Sequence, residues 1–102
     1  MAAACGGVAV KLTPMGLSRT VTIVNRRGLH ARPAASFVKL ATKFESKIRI
    51  QDGEKDVDGK SIMGMMMLAA SQGTQIVINA EGNDEQRAVE ELSKLVNQGF
   101  NE

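Results

Sequence analysis

Hydrophobic positions change period along the chain, and each change marks an element. Val21, Thr22, Ile23 and Val24 form a short β-branched run closed by a polar loop over 25–28, which predicts a strand over residues 21–24. Ala34, Phe37, Ala41 and Phe44 then recur at i, i+3, i+7 and i+10, with Val38 and Leu40 beside them. Arg32, Ser36, Lys39 and Lys43 hold the opposite, polar face, so this segment reads as an amphipathic helix. Pro33 is tolerated only in a first turn, which sets the helix start close to His30.

Residues 47–51 alternate, with Ile48 and Ile50 on one face. Asp52 and Gly53 signal a hairpin turn, and residues 54–58 read as a polar return strand. Ser61 precedes the apolar run 62–68 as a helix N-cap. Gly64 weakens that helix by about 1 kcal/mol relative to Ala, so a short helix is expected. Ile76, Val77 and Ile78 mark a buried strand over 75–80. Gly82, Asn83 and Asp84 open a last helix with an apolar stripe of Ala88, Val89, Leu92, Leu95 and Val96, and Gly99 is its C-cap candidate. The order β-α-β-β-α-β-α, with a hairpin and half-polar strands, predicts a mainly antiparallel sheet with helices on one side, an α+β two-layer sandwich.

Composition narrows this further. The 102 residues fit one domain and contain no Trp or Tyr and three Phe, so the core must be aliphatic and Met-rich. Thirteen basic residues against eleven acidic ones leave a net charge of +2, too balanced for a nucleic-acid footprint. The single cysteine, Cys5, excludes an internal disulfide, fits a cytoplasmic location and receives no role. The opening stretch is small and apolar, but it lacks a basic n-region, is interrupted by Lys11, and is too short to span a membrane. Residues 1–17 are expected to be a disordered extension, followed by one domain over 18–102. Met15 is an alternative start that would make residues 1–14 foreign to it.

Candidate chemistry concentrates at the only histidine, His30, in "GLHARPAA". A helix N-terminus offers unpaired N–H groups and the positive end of a dipole, a seat for an anion. Arg32 adds a planar fork for phosphate oxygens, and Gly28 lets the backbone approach a partner. These residues suit a histidine that accepts and releases a phosphoryl group; a helix-capping surface histidine fits the neighbourhood equally well. No metal is expected, for want of a second ligand. A nucleophile elbow is absent, a phosphate-binding loop ending at Lys60 and Ser61 would need Gly at position 54, which is Glu, and a calcium loop would need Glu at position 65, which is Met.

Met63, Met65, Met66 and Met67 cannot all face inward from one turn of helix. Met65 and Leu68 are expected in the core, and Ile62, Met63 and Met66 on a face near the surface. Loose packing and a partner-docking patch both fit. A phosphate on Ser61 would be tolerated by the helix start and would put charge at the patch edge.

The segments "GLHARPAA", "KSIMG" and "AEGNDEQRAVEEL" together resemble the histidine-containing phosphocarrier family, HPr, of the phosphoenolpyruvate-dependent phosphotransferase system, over about residues 19–98. The resemblance implies an open-faced β-sandwich, four antiparallel strands with three helices on one face. It implies a carrier, a transferase component of a relay rather than a stand-alone enzyme. Enzyme I would phosphorylate Nδ1 of His30, Arg32 would stabilise the phosphate, and an EIIA-type protein would accept it. Ser61 falls on the family's regulatory site, the target of an HPr kinase/phosphorylase where one exists. Leu29, Ala35, Lys39, Ile62, Met63 and Met66 are the expected docking residues. A cytoplasmic monomer is expected, with no cofactor, nucleic acid or membrane insertion. "MMMLAASQG" and "NQGFNE" are similar to the nitrogen-related branch, NPr, and "KSIMG" and "HARPAA" to the sugar branch. The alternative is a regulatory module of the same fold that binds partners through the Met patch and leaves His30 unphosphorylated.

Overall fold

The computed structural model describes residues 10–13, 16–68 and 70–101. Five strands, β1 (Val10–Thr13), β2 (Gly16–Thr22), β3 (Lys47–Asp52), β4 (Lys55–Asp58) and β5 (Gln75–Glu81), form one antiparallel sheet in the order β1-β2-β5-β3-β4. Three helices, α1 (Ala31–Ala41), α2 (Ile62–Met67) and α3 (Glu85–Asn97), cover one face. The four-stranded, three-helix open-faced sandwich expected from the sequence is present, with β1 added at one edge.

Period-two alternation sorts the sheet. Ile78 of the central strand β5 lies between Ile50 of β3 and Arg19 of β2, and Ala80 between Ile48 and Leu17. Ile48, Ile50, Ile76 and Ile78 are fully buried under the helices, while Lys47, Gln51, Gln75 and Glu81 are exposed on the other face. Phe37 and Ala34 of α1, Met65 of α2, and Val89, Leu92 and Val96 of α3 complete one core. α3 lies over β2 and β5, and α1 packs against both other helices.

Two expectations change at the N-terminal end. The strand read over 21–24 begins at Gly16 and ends at Thr22, because β5 pairs with it from Leu17 to Thr22 and β1 with its start at Gly16. Sequence reading found only its apolar half. Ile23 still bonds outward, donating to the Thr74 carbonyl (2.9 Å) and accepting from the Gly73 N–H (2.8 Å). Within the stretch read as a disordered extension, Val10–Thr13 pairs antiparallel with residues 16–19. The outer edge of β2 offers unpaired backbone groups, and the adjoining chain satisfies them whatever its composition. Residues 1–9, 14 and 15 lie outside the described residues. The opposite edge, β4, carries Lys55, Asp56 and Asp58, all exposed, which discourages edge pairing.

α3 ends at Asn97 with Gln98 as its C-cap, and Gly99, expected as the cap, is the next residue, in the left-handed conformation (φ 66°) that commonly follows a helix end. Phe100 follows at φ 59° with its ring buried in the core, an anchor for the chain end with no pattern to announce it. At the other end of α3, the Asp84 carboxylate ties the helix start to the loop before β3. It accepts from the Glu45 N–H (2.9 Å), the Ser46 N–H (3.0 Å) and the Ser46 hydroxyl.

These bonds, the Ser46 hydroxyl foremost and the Glu45 N–H next, hold the Asp84 carboxyl below its ordinary value of 3.8, against the opposing effect of desolvation. A carboxylate with a depressed pKa stabilises the fold above its unfolded pKa, and that contribution is lost as pH falls through the folded value. Asp84→Asn is therefore expected to lower Tm at pH 7, with the gap to wild type closing as the pH is taken well below 3.8. A gap that persists unchanged in acid would show that the carboxylate's charge is not what holds the loop.

Candidate functional site

His30 occupies the N-cap position of α1 in an extended conformation (φ −117°, ψ −166°), and its side chain takes no capping role. Its backbone is held on both sides. The His30 N–H donates to the Gly28 carbonyl (3.2 Å), and the His30 carbonyl accepts from the Ala34 N–H (2.9 Å), the first bond of the helix. The imidazole is half-buried at the tip of this turn, and Ala31 and Arg32 behind it are exposed. Pro33 is the third helical residue, where its missing N–H costs nothing. The first turn holds no acidic residue, so the helix's own side chains leave the positive end of its dipole in place, and the Arg32 guanidinium is added to it.

The loop before His30 is fastened to the segment that leaves α2. The Leu29 N–H donates to the Ala70 carbonyl (2.8 Å). Gly28 adopts φ +69°, and a Cβ there would sit 2.3 Å from that same Ala70 oxygen. Only glycine allows both the left-handed turn and the close approach. Asn25 is buried and braces the turn from inside: its Nδ2 donates to the Gly28 carbonyl (2.8 Å), and its own carbonyl accepts from the Gly28 N–H (3.2 Å). Gln72 closes the seam by donating to the Val24 carbonyl (3.0 Å).

α2 supplies the apolar part of the surface. Ser61 caps it, its hydroxyl accepting from the Gly64 N–H (3.0 Å). Gly64, the residue that weakens this helix, lies where a Cβ would press on Val57, Asp58 and Ser61 at 3.3–3.4 Å, so its bareness lets α2 settle close onto β4. Met65 and Leu68 are buried as expected. Ile62, Met63, Met66 and Met67 form an exposed apolar face, with Met63 74% and Met67 68% accessible. Lys60, just before the cap, donates from Nζ to the Phe44 carbonyl (2.8 Å) and ties α2 to the end of α1.

The structure therefore brings His30, Arg32, Ala35 and Lys39 onto α1 and its start, and Ser61, Ile62, Met63 and Met66 onto α2, with Ala35, Lys39, Ile62, Met63 and Met66 exposed. The Leu29–Ala70 bond joins the two groups. Ser61 is at the far end of α2 from that bond, about 9 Å along a six-residue helix. Leu29 is a correction. It is 5% accessible and belongs to the core, so it anchors the His30 loop and cannot present itself to a partner. Met67 was missed, because a helical period gives no warning that a helix this short exposes most of its sides.

Charge was also missed. Residues 25–43 and 60–74 carry Arg26, Arg27, Arg32, Lys39, Lys43 and Lys60 and no Asp or Glu; all eleven acidic residues lie elsewhere. The near-zero net charge conceals two segments, those that carry His30 and α2, whose charged side chains are all basic. Counting acids by segment instead of over the chain would have found them.

A family model described as the PTS HPr component phosphorylation site matches residues 17–98. The phosphocarrier protein HPr of Xylella fastidiosa is 44% identical over 86 residues, spanning 84% of this chain and 97% of that protein. That of Pseudomonas aeruginosa is 46% identical over 83 residues, spanning 80% and 92%. Among solved structures, HPr of Thermoanaerobacter tengcongensis superposes with a TM-score of 0.80 at 47% identity, over 83% of this chain and 96% of that one. The Bacillus subtilis catabolite-repression protein Crh gives 0.67 at 46% identity, over 72% and 85%.

The seam between residues 28–29 and Ala70 generates a direct expectation. Gly28→Ala forces a methyl group against the Ala70 carbonyl and a left-handed φ on alanine, which should destabilise the fold by about 1–3 kcal/mol. Hydrogen exchange should show the Leu29 amide losing protection more than amides of β5. An unchanged Tm together with an unchanged Leu29 exchange rate would mean that the loop does not depend on this contact.

Proposed function

We propose that His30 is the phosphoryl acceptor, on the premise that the chain belongs to the histidine-containing phosphocarrier family, HPr, of the phosphoenolpyruvate-dependent phosphotransferase system and is a phosphocarrier of that system. It works with other components of the same system. The donor is enzyme I, the receiving atom is Nδ1 of His30, and the acceptor that follows is an EIIA-type protein. The observation that carries this reading is the acid-free first turn of α1 directly behind the imidazole. As the new P–N bond forms and the bond to the donor breaks, negative charge on the phosphoryl oxygens faces the helix dipole, the first-turn amides and the Arg32 guanidinium. These groups are fixed by the helix, and the half-buried imidazole at the tip of its turn lies at the surface, where either partner can close over it.

Docking is assigned to Ala35, Lys39, Ile62, Met63 and Met66, with Met67 added. The basic charge of the segments that carry His30 and α2 complements a carboxylate-rich partner surface, which speeds and orients encounter. Ser61 is the regulatory phosphosite, served by an HPr kinase/phosphorylase. Its phosphate would keep the helix cap, since the dipole favours it, and would set about two negative charges against the acidic partner. A monomer is favoured by β1 covering the edge of β2 and by the charged edge of β4, although Crh and a Thermoanaerobacter HPr are described as dimers. Among the described residues no helix is long and apolar enough to cross a membrane, and a donor fuelled by phosphoenolpyruvate places the relay in the cytoplasm. The regulatory-module alternative draws on the same Met face, but it leaves the acid-free helix start and Arg32 without a task.

Incubation with enzyme I and phosphoenolpyruvate should add one acid-labile phosphate, by mass, to the wild-type protein and none to His30→Ala. Label that survives this substitution would place the acceptor elsewhere. Arg32→Ala should remain folded and accept phosphate about tenfold or more slowly; equal rates would remove Arg32 from the site. Ser61→Asp should weaken enzyme I binding about tenfold, roughly 1.4 kcal/mol, and more at low than at high ionic strength. Unaltered affinity would leave Ser61 as a helix cap alone.

A further inference from the structure

The apolar face of α2 is built largely of thioethers. Met63 and Met67 are one helical turn apart on the same stripe, 74% and 68% accessible, and Met66 is 44% accessible. Met65, in the same six-residue helix, is fully buried. Gly64 fixes this orientation by seating α2 against Val57 and Asp58. A thioether differs from the other groups on this face in one respect: a two-electron oxidation turns it from apolar to strongly polar, and the change is reversible. Ile62 has no such chemistry.

We infer that Met63 and Met67 are sites of reversible oxidation to methionine sulfoxide, with a peroxide as oxidant, and that the oxidised face no longer docks the partners of the relay. This rests on the docking reading of the same face. A sulfur lone pair attacks one peroxide oxygen, an S–O bond forms, and the O–O bond breaks. The departing hydroxide takes the proton from the transferred oxygen, leaving sulfoxide and water; sulfur has lost two electrons and the peroxide has gained them. A dithiol-dependent reductase reverses the step, the oxygen leaving as water while the dithiol becomes a disulfide. A sulfoxide oxygen holds water by hydrogen bonds, and an apolar partner surface returns none of them, so docking over it is penalised. His30 and its loop are untouched, so the phosphoryl perch stays intact while access to partners is withdrawn.

The test is limited treatment of the full chain with hydrogen peroxide, followed by peptide mapping and by the rate of phosphoryl transfer from enzyme I. Met63 and Met67 should each gain one oxygen well before Met65, and mapping separates them from Met1, Met15 and Cys5. Transfer by the protein oxidised at both positions should fall about tenfold, equivalent to roughly 1.4 kcal/mol, and recover after treatment with a sulfoxide reductase and a dithiol. The Met63→Leu, Met67→Leu double variant, whatever its starting rate, should keep that rate through an exposure brief enough that mapping shows Met66 unoxidised. The inference is overturned if Met65 oxidises as fast as its neighbours, if protein fully oxidised at 63 and 67 transfers at its original rate, or if the double variant loses rate equally. An unoxidised Met63→Glu protein that docks and transfers normally would overturn the docking reading instead, and with it the functional half of the inference, while the order of oxidation still decides the chemical half.

Discussion

One backbone contact, the Leu29 N–H on the Ala70 carbonyl with Gly28 pressed against the same oxygen, makes a single surface out of two separate pieces of chain. His30 and Arg32 come from the start of α1, and the exposed apolar face comes from α2, about thirty residues later. The Lys60 bond to the Phe44 carbonyl ties α2 to the far end of α1, and this contact fastens the histidine's own loop to the chain that leaves α2. Its requirements run through the neighbourhood. Position 28 must be glycine, Leu29 must turn into the core, Asn25 must brace the turn, and Gln72 must reach back to Val24. A six-residue helix has little stability of its own, so α2 depends on Ser61 at its start, Met65 and Leu68 beneath it, and this seam beyond its end.

A carrier's task explains why the site is made this way. It must hold a reactive group that two different proteins can enclose in turn, so the group has to stand on a convex surface. On the proposed reading, stabilisation comes from fixed features behind the phosphate: a helix end with no acid in its first turn and the guanidinium proposed for Arg32. These remain in position because α1 is anchored through Ala34, Phe37 and Val38 in the same core that receives Ile48, Ile50, Ile76 and Ile78 from the sheet. Rigidity under the site replaces walls around it.

Much of this was legible in the residues. Pro33 fixed the start of α1 to within a residue, Ser61 marked the cap of α2, and Gly99 the end of α3. These are local rules, and local rules read well from a chain. What escaped depends on neighbours distant in sequence. β2 starts five residues earlier than its apolar run because β5 pairs with it from Leu17 and β1 with its start at Gly16. Val10–Thr13 becomes a strand because an edge is open beside it. Leu29 reads as a docking residue beside the histidine, and only its burial in the core, at 5% accessible, shows that it points inward. Asp84 looked like a helix-start signal, and its bonds to Glu45 and Ser46 belong to tertiary structure. Among the site residues, chemistry-bearing types were found and apolar ones were assigned less well, since burial decides which of them a partner can touch.

The segregation of charge has a consequence of a different kind. With every acid kept out of residues 25–43 and 60–74, charge is spread unevenly over the chain, and the segments that hold the histidine and α2 carry only basic side chains. A body with a Cα radius of gyration of 12.4 Å tumbling near an oppositely charged surface feels a torque before it feels contact. With screening over about 8 Å at physiological ionic strength, that torque acts only in the last stretch of the approach, where it matters for orientation. Most random collisions would strike the wrong side. A small carrier that must find several partners in succession gains from a compass that turns its working face forward, and the same compass serves every partner because it recognises sign and not shape.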